Sequence, residues 1–390
     1  MANDLTFNQI STVLTDITQQ ATGQRVLAPT NTAEFVSVAN TALLSGYDNL
    51  MGAISQVLAK TIFANRPYTR KFRELEYSAM EWGNHVRKIN IGDKPFEDDS
   101  RIPLQDGHSV DQQEVSIPNI LQTNYYGQEV YQKKYTIFRD QLNVAFQNPE
   151  EFASFVSLVV QNTSDMIEQA HETLARNTIV NLMAGILADG NTEQVVHLLT
   201  EYNAATGLSL TAQTVYQPAN FPAFMRWAYA RINTISALLT ERSVLFHKNI
   251  TNKIIPRHTP KDLQRVYLYA PTQYNMEANV LSETFHDEYL KDVKGETVNF
   301  WQSISTPGTI NTTPSYMNAS GAVVTAEEAV SQSNIFGIIL DRDAAGYNVF
   351  NQWSAPAPFN SRGGYTTVWY HFTDRYFNDY TENSVIFLLD

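Results

Sequence analysis

Two short motifs in the sequence approach known metal-binding patterns, and each fails at a required position. His171 and Glu172 begin like H-E-x-x-H, in which two histidines hold zinc, but Ala175 stands where the second histidine is needed. Residues 341–343, Asp-Arg-Asp, resemble the start of a calcium loop, but Gln352 stands where that loop needs a bidentate carboxylate. We therefore predict no metal ion and no cofactor, and we interpret His171 as a surface or interface histidine.

Motifs for nucleophilic catalysis and nucleotide binding are not found in the sequence. It has no Walker loop, no G-x-G-x-x-G and no G-x-S-x-G elbow. The lack of cysteine excludes a thiol nucleophile, a cysteine-based zinc site, an iron–sulfur cluster and a disulfide scaffold. The other histidines are scattered singly, and only a fold could bring particular carboxylates together. No catalytic set emerges, and we predict that the chain is not an enzyme.

The composition is acidic and aromatic. Lys and Arg number 27 against 40 Asp and Glu, which gives a formal net charge of −13. A surface of this sign repels phosphate, so we expect no tight binding of DNA or RNA over the whole surface. Only 17% of residues are charged, while 12% are aromatic, including 20 Tyr and 20 Phe. Such rings favour either protein–protein interfaces or an aromatic core, and composition leaves both open.

Two basic clusters stand out against this acidic background. We interpret the first as a solvated loop in preference to an anion site. It contains Arg66, Arg70, Lys71 and Arg73. The second is a solvated face, a partner for an acidic segment of another copy, or a contact with nucleic acid. It contains Arg242, Lys248, Lys253, Arg257, Lys261 and Arg265, with Glu241 and Asp262 as the only acids.

The N-terminal region has a weak helical pattern. The first residues, MANDLTFNQISTV, lack the basic and apolar regions of a signal peptide, and no window of the chain approaches 18 consecutive apolar residues. Within residues 1–40, Ile10, Leu14 and Ile17 recur at helical spacing. We expect an arm that is ordered only where something covers it, followed by a firmer helix over 41–62.

The pattern of residues 74–147 predicts a projecting two-stranded hairpin. Alternating patterns in VRKINI, residues 86–91, and in EVYQKKYTI, residues 129–137, predict its two strands. The segment between them is polar, and from Glu97 to Glu114 it carries six acids against Arg101. The acids are Glu97, Asp98, Asp99, Asp106, Asp111 and Glu114. Because a two-stranded hairpin is marginally stable in water, we expect it to lie on something, and a neighbouring subunit is a good candidate.

Residues 148–190 have the strongest helical pattern. Asn148 and Pro149, followed by two acids, are typical of a helix start. Apolar residues then recur every three or four positions as far as Leu182, and no Gly or Pro interrupts them before Gly185. A helix of about 40 residues is roughly 60 Å long, which indicates a structural spine.

The rest of the chain mixes helices and strands. We predict a helix over 222–240, a further helix within 276–290, surface loops over 302–334, and strands at 265–270, 335–340, 366–372 and 384–389. The apolar runs at 335–340 and 384–389 indicate strands buried on both faces. Because strands lie on both sides of the long helix in sequence, we predict an α+β fold.

This order of segments resembles that of a tailed-phage major capsid protein of the Hong Kong 97-type fold. The resemblance covers nearly the whole chain and is most specific at its C-terminal end, which is similar to the major head proteins of small short-tailed phages of the picovirus and salasvirus kind (podoviruses). The matching features are a strand ending in an acid (335–341), a polar loop with Pro and Gly (355–364), an aromatic strand (369–372) and a final apolar strand (384–389). Residues 151–160 resemble the start of the long helix in those proteins.

The resemblance implies a structural protein and a division into four parts. These are an N-terminal arm and entry helix (1–64), an extended loop with its base (65–147), a peripheral (P) domain (148–190 and 335–390) and an axial (A) domain (191–334). Many copies, as hexamers and pentamers, would form an icosahedral head around double-stranded DNA. Further partners would be portal and scaffolding proteins, with weak contacts to the packaged DNA and none to a membrane. Assembly would take place in the cytoplasm of the bacterial host.

We also derive expected inter-subunit contacts and two alternative functions. The expected contacts are the six acids of the hairpin together with Arg66, Arg70, Lys71, Arg73, Arg242, Lys248 and Arg257. No chain-crosslinking Lys/Asn pair can be matched. The shared architecture leaves an encapsulin-like nanocompartment as one alternative, and a soluble hydrolase of an aromatic substrate or glycan is the alternative from another class.

Overall fold

The computed structural model describes residues 7–46, 49–50, 52–54, 70–77, 86–92, 99, 105–111, 113, 115, 117, 119–145, 149–251, 253–276 and 296–390. The chain divides into two compact units. The first unit contains 1–81, 128–174 and 348–375, and the second contains 82–127, 175–347 and 376–390.

Helices and strands alternate irregularly along the chain. The helices are α1 (Phe7–Thr22), α2 (Thr32–Leu44), α3 (Arg139–Ala145), α4 (Pro149–Asp189), α5 (Leu198–Thr206), α6 (Phe221–Leu238) and α7 (Ala270–Met276). The first seven strands are β1 (Val86–Gly92), β2 (Asn119–Tyr125), β3 (Gly127–Phe138), β4 (Val195–His197), β5 (Gln264–Tyr269), β6 (Glu296–Val298) and β7 (Ile310–Thr312). The others are β8 (Ser315–Met317), β9 (Val323–Thr325), β10 (Val330–Gln332), β11 (Ile335–Asp341), β12 (Ala345–Pro356), β13 (Tyr365–Asn378) and β14 (Ser384–Leu388).

The core of the first unit joins the N-terminal helices to a three-stranded sheet of order β12-β13-β3. The apolar face of α1, with Leu14 and Ile17, is buried together with Phe35 of α2 and Phe372 of β13. The amphipathic pattern near the N-terminus thus forms a helix that is covered, as expected. The prediction of one helix over 41–62 is wrong at its start, because α2 ends at Leu44. Beyond this break, residues 49–50 and 52–54 are helical as predicted, and the other residues from 47 to 62 lie outside the described ones.

The long helix α4 has the predicted extent. It contains 41 residues, which corresponds to roughly 60 Å. Leu174 and Leu182 are buried, in agreement with the three-four apolar series. The helix continues through Gly185 and ends before Gly190, whose φ of +70° lies in the left-handed region that glycine favours at helix ends. Asn148, the predicted N-cap, lies outside the described residues.

A five-stranded sheet of order β4-β14-β11-β5-β6 forms the core of the second unit. Strand β11 is antiparallel to both β14 and β5, while β4 and β6 join the edges in parallel. Every residue of β11 and β14 is buried, which confirms that these apolar runs are covered on both faces. Helix α6 packs on this core through Phe224, Ala228, Ile232 and Ile235, the face predicted from its spacing.

The hairpin has a different second strand from the one predicted. Strand β1 pairs antiparallel with β2, from Val86↔Tyr125 to Gly92↔Asn119. Strand β3 joins β13 instead, because its Tyr131, Tyr135 and Ile137 pack against the core of the first unit. The polar connection between the two hairpin strands is therefore shorter than expected.

Two other predicted segments differ in detail. Within 302–334, expected to be loops, short antiparallel pairs form between β7 and β10 and between β8 and β9. Of the helix expected within 276–290, Met276 ends α7 and the other residues lie outside the described ones. No described helix combines the length and the apolar character that crossing a membrane requires.

Candidate functional site

The hairpin β1–β2 exposes apolar side chains on one face. Ile89, Ile91 and Ile120 are 58%, 68% and 48% exposed, respectively. Ile91 lies opposite Ile120 in the register of the two strands, so the side chains form a continuous surface. We call these three residues the apolar strip. In the connection beyond it, Val115 and Ile117 are also exposed, at 81% and 74%.

On the opposite face, β1 carries Lys88 and Asn90, and this face turns toward the protein. Lys88 Nζ lies 2.9 Å from Asp379 Oδ2 and 2.5 Å from Glu382 Oε1. Arg257 Nη1 lies 3.3 Å from Glu382 Oε1 and donates to Asn90 Oδ1 at 3.1 Å. Two cations and two carboxylates therefore meet beneath the hairpin. We call Lys88, Arg257, Asp379 and Glu382 the hairpin-base cluster.

Burial and charge pull the pKa values in this cluster in opposite directions. Burial favours the neutral acid of Asp379, but the Lys88 ammonium and two hydrogen bonds from Thr381 outweigh it, so the pKa of Asp379 lies below its usual value. Burial raises the pKa of Glu382 despite the nearby Lys88 and Arg257. For Lys88, burial alone would lower the pKa, but the two carboxylates raise it above its usual value. At neutral pH the Lys88–Asp379 pair is thus charged.

The predicted acidic residues are exposed where they are described. Asp99, Asp106 and Asp111 are exposed, and Asp111 accepts a hydrogen bond from the backbone N–H of Gln113. Glu97, Asp98 and Glu114 lie outside the described residues.

Arg70 is the clearest correction among the predicted basic contacts. Its side chain is buried and lies 2.6 Å from His171 Nδ1, with Glu76 and Glu168 as further neighbours. An arginine side chain can only donate, so His171 Nδ1 must accept, and the ring proton lies on Nε2, 3.4 Å from Asp374 Oδ2. Arg70 is therefore buried and paired inside the subunit rather than part of a solvated loop, and His171 is not a surface histidine.

Other members of the basic clusters are also paired within the subunit. Lys248 forms an ion pair with Asp189 near the end of α4, and Arg257 belongs to the hairpin-base cluster. These partners come from the same chain, so the charges do not require the acidic segment of another copy. Lys71, Arg73 and Arg242 are exposed. Arg66 lies outside the described residues.

Sequence reasoning missed the segment 376–382, which supplies both carboxylates of the hairpin-base cluster. The only signal was the density of polar residues in NDYTEN between two apolar strands, which indicates a turn as readily as a binding surface. Among the described residues, no group of three or more His, Asp or Glu side chains is placed to hold a metal ion.

Comparison with known proteins yields a family match and structural similarity. A family model described as Phi29-like phage major capsid protein matches residues 10–388. The chain is similar to the capsid structure of Staphylococcus phage Andhra, with a TM-score of 0.53 and 10% identity over 84% of this chain and 86% of that one. It is also similar to a chain in the structure of the head fiber and inner core protein gp22 of bacteriophage P68, with a TM-score of 0.52 and 12% identity over 83% and 85%. The comparison with curated proteins finds no match.

Proposed function

Because the chain belongs to the Phi29-like phage major capsid protein family, we propose that its hairpin β1–β2 is a main contact between copies in the shell. The chain is a structural capsid protein of a tailed bacteriophage, with the Hong Kong 97-type α+β fold expected from the sequence. The encapsulin and hydrolase alternatives have no support in the family match.

The observation that carries the proposal is the inverted polarity of strand β1 in the hairpin. A hairpin on the surface of a monomer normally turns its apolar face inward and its polar face to water. Here the apolar strip faces outward, while Lys88 and Asn90 face inward. Exposed apolar surface of this kind marks an interaction site. A second copy of the chain is the partner that a self-assembling shell supplies.

We propose a secondary role for the exposed charges. Asp99, Asp106 and Asp111 would set the register of the contact, since charges at the rim of an interface affect specificity more than affinity. Of the basic residues expected at contacts, Lys71, Arg73 and Arg242 are exposed and suit this role.

We propose that this chain has the same four parts as the capsid proteins it resembles. The arm would lie within 1–64, the extended loop within 65–147, the P domain within 148–190 and 335–390, and the A domain within 191–334. Strands β11 and β14 would then connect the P and A domains, because they share a sheet with β4, β5 and β6. Assembly in the host cytoplasm, portal and scaffolding partners, and weak contacts with packaged double-stranded DNA belong to the same proposal. The net charge of −13 argues that DNA contacts are few.

The proposal is tested by replacing Ile89 and Ile91 together with threonine, which keeps the β-branched shape that strands favour. Complete burial of an isoleucine contributes about 1.5–3 kcal/mol, and more than half of each side chain is exposed in the single subunit. We therefore expect the double variant to lose about 2–4 kcal/mol of association free energy per contact between copies, which lowers the association constant roughly 30- to 1,000-fold.

Sedimentation of particles from cells that express the full chain measures assembly, and thermal unfolding of the purified subunit measures the fold. The matched control replaces Ile254 and Ile304, which are 57% and 77% exposed in the same unit, with threonine. Normal particles from the hairpin variant, at a yield equal to that of the control, would refute the proposal.

A further inference from the structure

We propose that the hairpin-base cluster fixes the direction in which the hairpin projects, so that Lys88 and Asn90 are positioning residues for shell assembly. This inference rests on the proposed function, because it takes the hairpin as a contact between copies. It adds that charged and polar contacts on the inward face, rather than apolar packing, orient the apolar strip on the outward face.

Among the described residues, the inward face of the hairpin makes both ionic and apolar contacts. Lys88 reaches both carboxylates of the cluster, and Asn90 accepts from Arg257. The apolar contribution comes from Leu121, which is buried, and from the ring of Tyr125, whose centroid lies 5.3 Å from that of Phe377. The hydrogen bond from the Arg257 guanidinium to Asn90 is charge-assisted and directional, and the ion pairs of Lys88 hold the same strand against the cluster, so together they fix an orientation that apolar contact alone leaves loose.

The carboxylates are themselves held rigidly. The backbone N–H of Asp379 donates to Ala344 O at 2.7 Å, and Thr381 donates to Asp379 Oδ1 from its N–H at 2.9 Å and from its hydroxyl at 2.6 Å. Arg257 Nε donates to Thr381 O at 3.0 Å. This turn leads directly into β14, a buried strand of the five-stranded sheet. The hairpin is therefore attached to a hydrogen-bonded turn that is continuous with the buried sheet of the second unit.

The position of the apolar strip follows the position of the two anchored residues. Ile89 lies between Lys88 and Asn90, and Ile91 directly follows Asn90, so each isoleucine is one residue, or about 3.4 Å along the strand, from an anchored side chain. A displacement of the strand by more than about 1 Å at Lys88 or Asn90 would therefore move the isoleucines by a similar distance. In a packed interface the van der Waals surfaces of the two partners lie within about 0.5–1 Å of each other. Such a displacement would therefore separate the apolar strip from its partner.

Two variants of different severity test the positioning role in the full chain. Lys88→Met removes the ammonium and keeps most of the stem, while Asn90→Ala removes only the hydrogen bond from Arg257. The matched control is Asn124→Ala on the outward face of β2, where Asn124 accepts from the neighbouring Gln122. Lys88→Arg keeps the charge and serves as the conservative rescue.

Amide hydrogen exchange provides a readout that does not depend on assembly. In Lys88→Met we expect exchange of the β1 and β2 amides to rise by about tenfold or more, with β11 and β14 unchanged. Asn90→Ala should show a smaller rise in the same strands, and Lys88→Arg and Asn124→Ala should match wild type. The yield of closed particles should follow the protection of the β1 and β2 amides from exchange, so it should be lower in Asn90→Ala than in wild type and lowest in Lys88→Met.

The outcomes separate the two proposals. Wild-type hairpin exchange in both Lys88→Met and Asn90→Ala would overturn the positioning role, as would faster hairpin exchange with normal particles. Faster exchange across β11 and β14 as well would make the cluster part of the subunit core and also overturn it. The Ile89/Ile91 double variant tests the contact itself: if that variant assembles normally, the proposed function fails whatever the cluster does.

Discussion

Replacement of Gly185 by alanine separates what helix propensity predicts from what packing predicts. Alanine in a helix interior is ordinarily more stable than glycine by about 0.5–1 kcal/mol, so propensity alone predicts a gain for this position in α4. In the structure, a Cβ at Gly185 would lie 2.6 Å from Cζ of Tyr380 and in direct conflict with its hydroxyl oxygen. The ring is only 7% exposed and has little room to move.

The magnitude follows from what displacement of Tyr380 would break. Its hydroxyl lies 3.0 Å from the carbonyl oxygen of Asn181 and 3.1 Å from that of Ser315, and it can donate to either. Overpacking costs about 1–3 kcal/mol, and a buried polar group that loses its partner costs about 1–3 kcal/mol more. After subtraction of the propensity gain, we expect Gly185→Ala to lower the free energy of unfolding by about 1–5 kcal/mol.

Denaturant unfolding of the purified subunit measures this change. The matched control is Gly52→Ala, at a helical position where an added Cβ would meet no atom within 4 Å, and there we expect a gain of about 0.5–1 kcal/mol. If Tyr380 is the obstacle, Gly185→Ala should become stabilising in a Tyr380→Ala background. A stabilised Gly185→Ala single variant, or the same cost in both backgrounds, would refute the reasoning.

Two further predictions concern the second unit. Burial holds the pKa of His247 below its usual value near 6.5, and a hydrogen bond to Asn383 offsets this effect only in part. At pH values below about 6.5 the unfolded chain takes up a proton at His247 that the folded chain does not, so the free energy of unfolding should fall as the pH drops from about 7.5 to 5. In His247→Gln this part of the pH dependence should be lost. Equal slopes of unfolding free energy against pH for the two proteins would contradict the assignment. Removal of 384–390 deletes β14 from between β11 and β4, so we expect no soluble protein, and shells formed by the shortened chain would contradict this.

Elements whose pattern is set by burial could be predicted from the sequence. The long helix, helix α6 and strands β11 and β14 were found within a few residues, because each buries one face or two faces and its apolar spacing reports this directly. Strand β2 was missed, because NILQTNY has two adjacent aliphatic residues and no alternation. Its pairing depends on β1, a partner that local patterns do not reveal.

Charged residues were predicted less well, because sequence cannot show which partner a charge meets. Arg70 and His171 are 101 residues apart in the chain, yet they form one buried contact. Lys88 meets Asp379 and Glu382 across an even longer separation. A basic run therefore looks like a solvated face in sequence whether its charges face water or are paired inside the subunit.

The hairpin shows why the alternation of a strand and the use of its two faces are separate questions. VRKINI predicts a strand correctly, and the usual rule would place Ile89 and Ile91 inward. The structure places Lys88 and Asn90 inward because buried carboxylates are there to receive them, and this leaves the isoleucines exposed. The energy of burying the isoleucines is therefore still available in the single subunit. In a protein that functions only as an assembly, that burial can stabilise the contact between copies, while the ionic contacts determine where the contact forms.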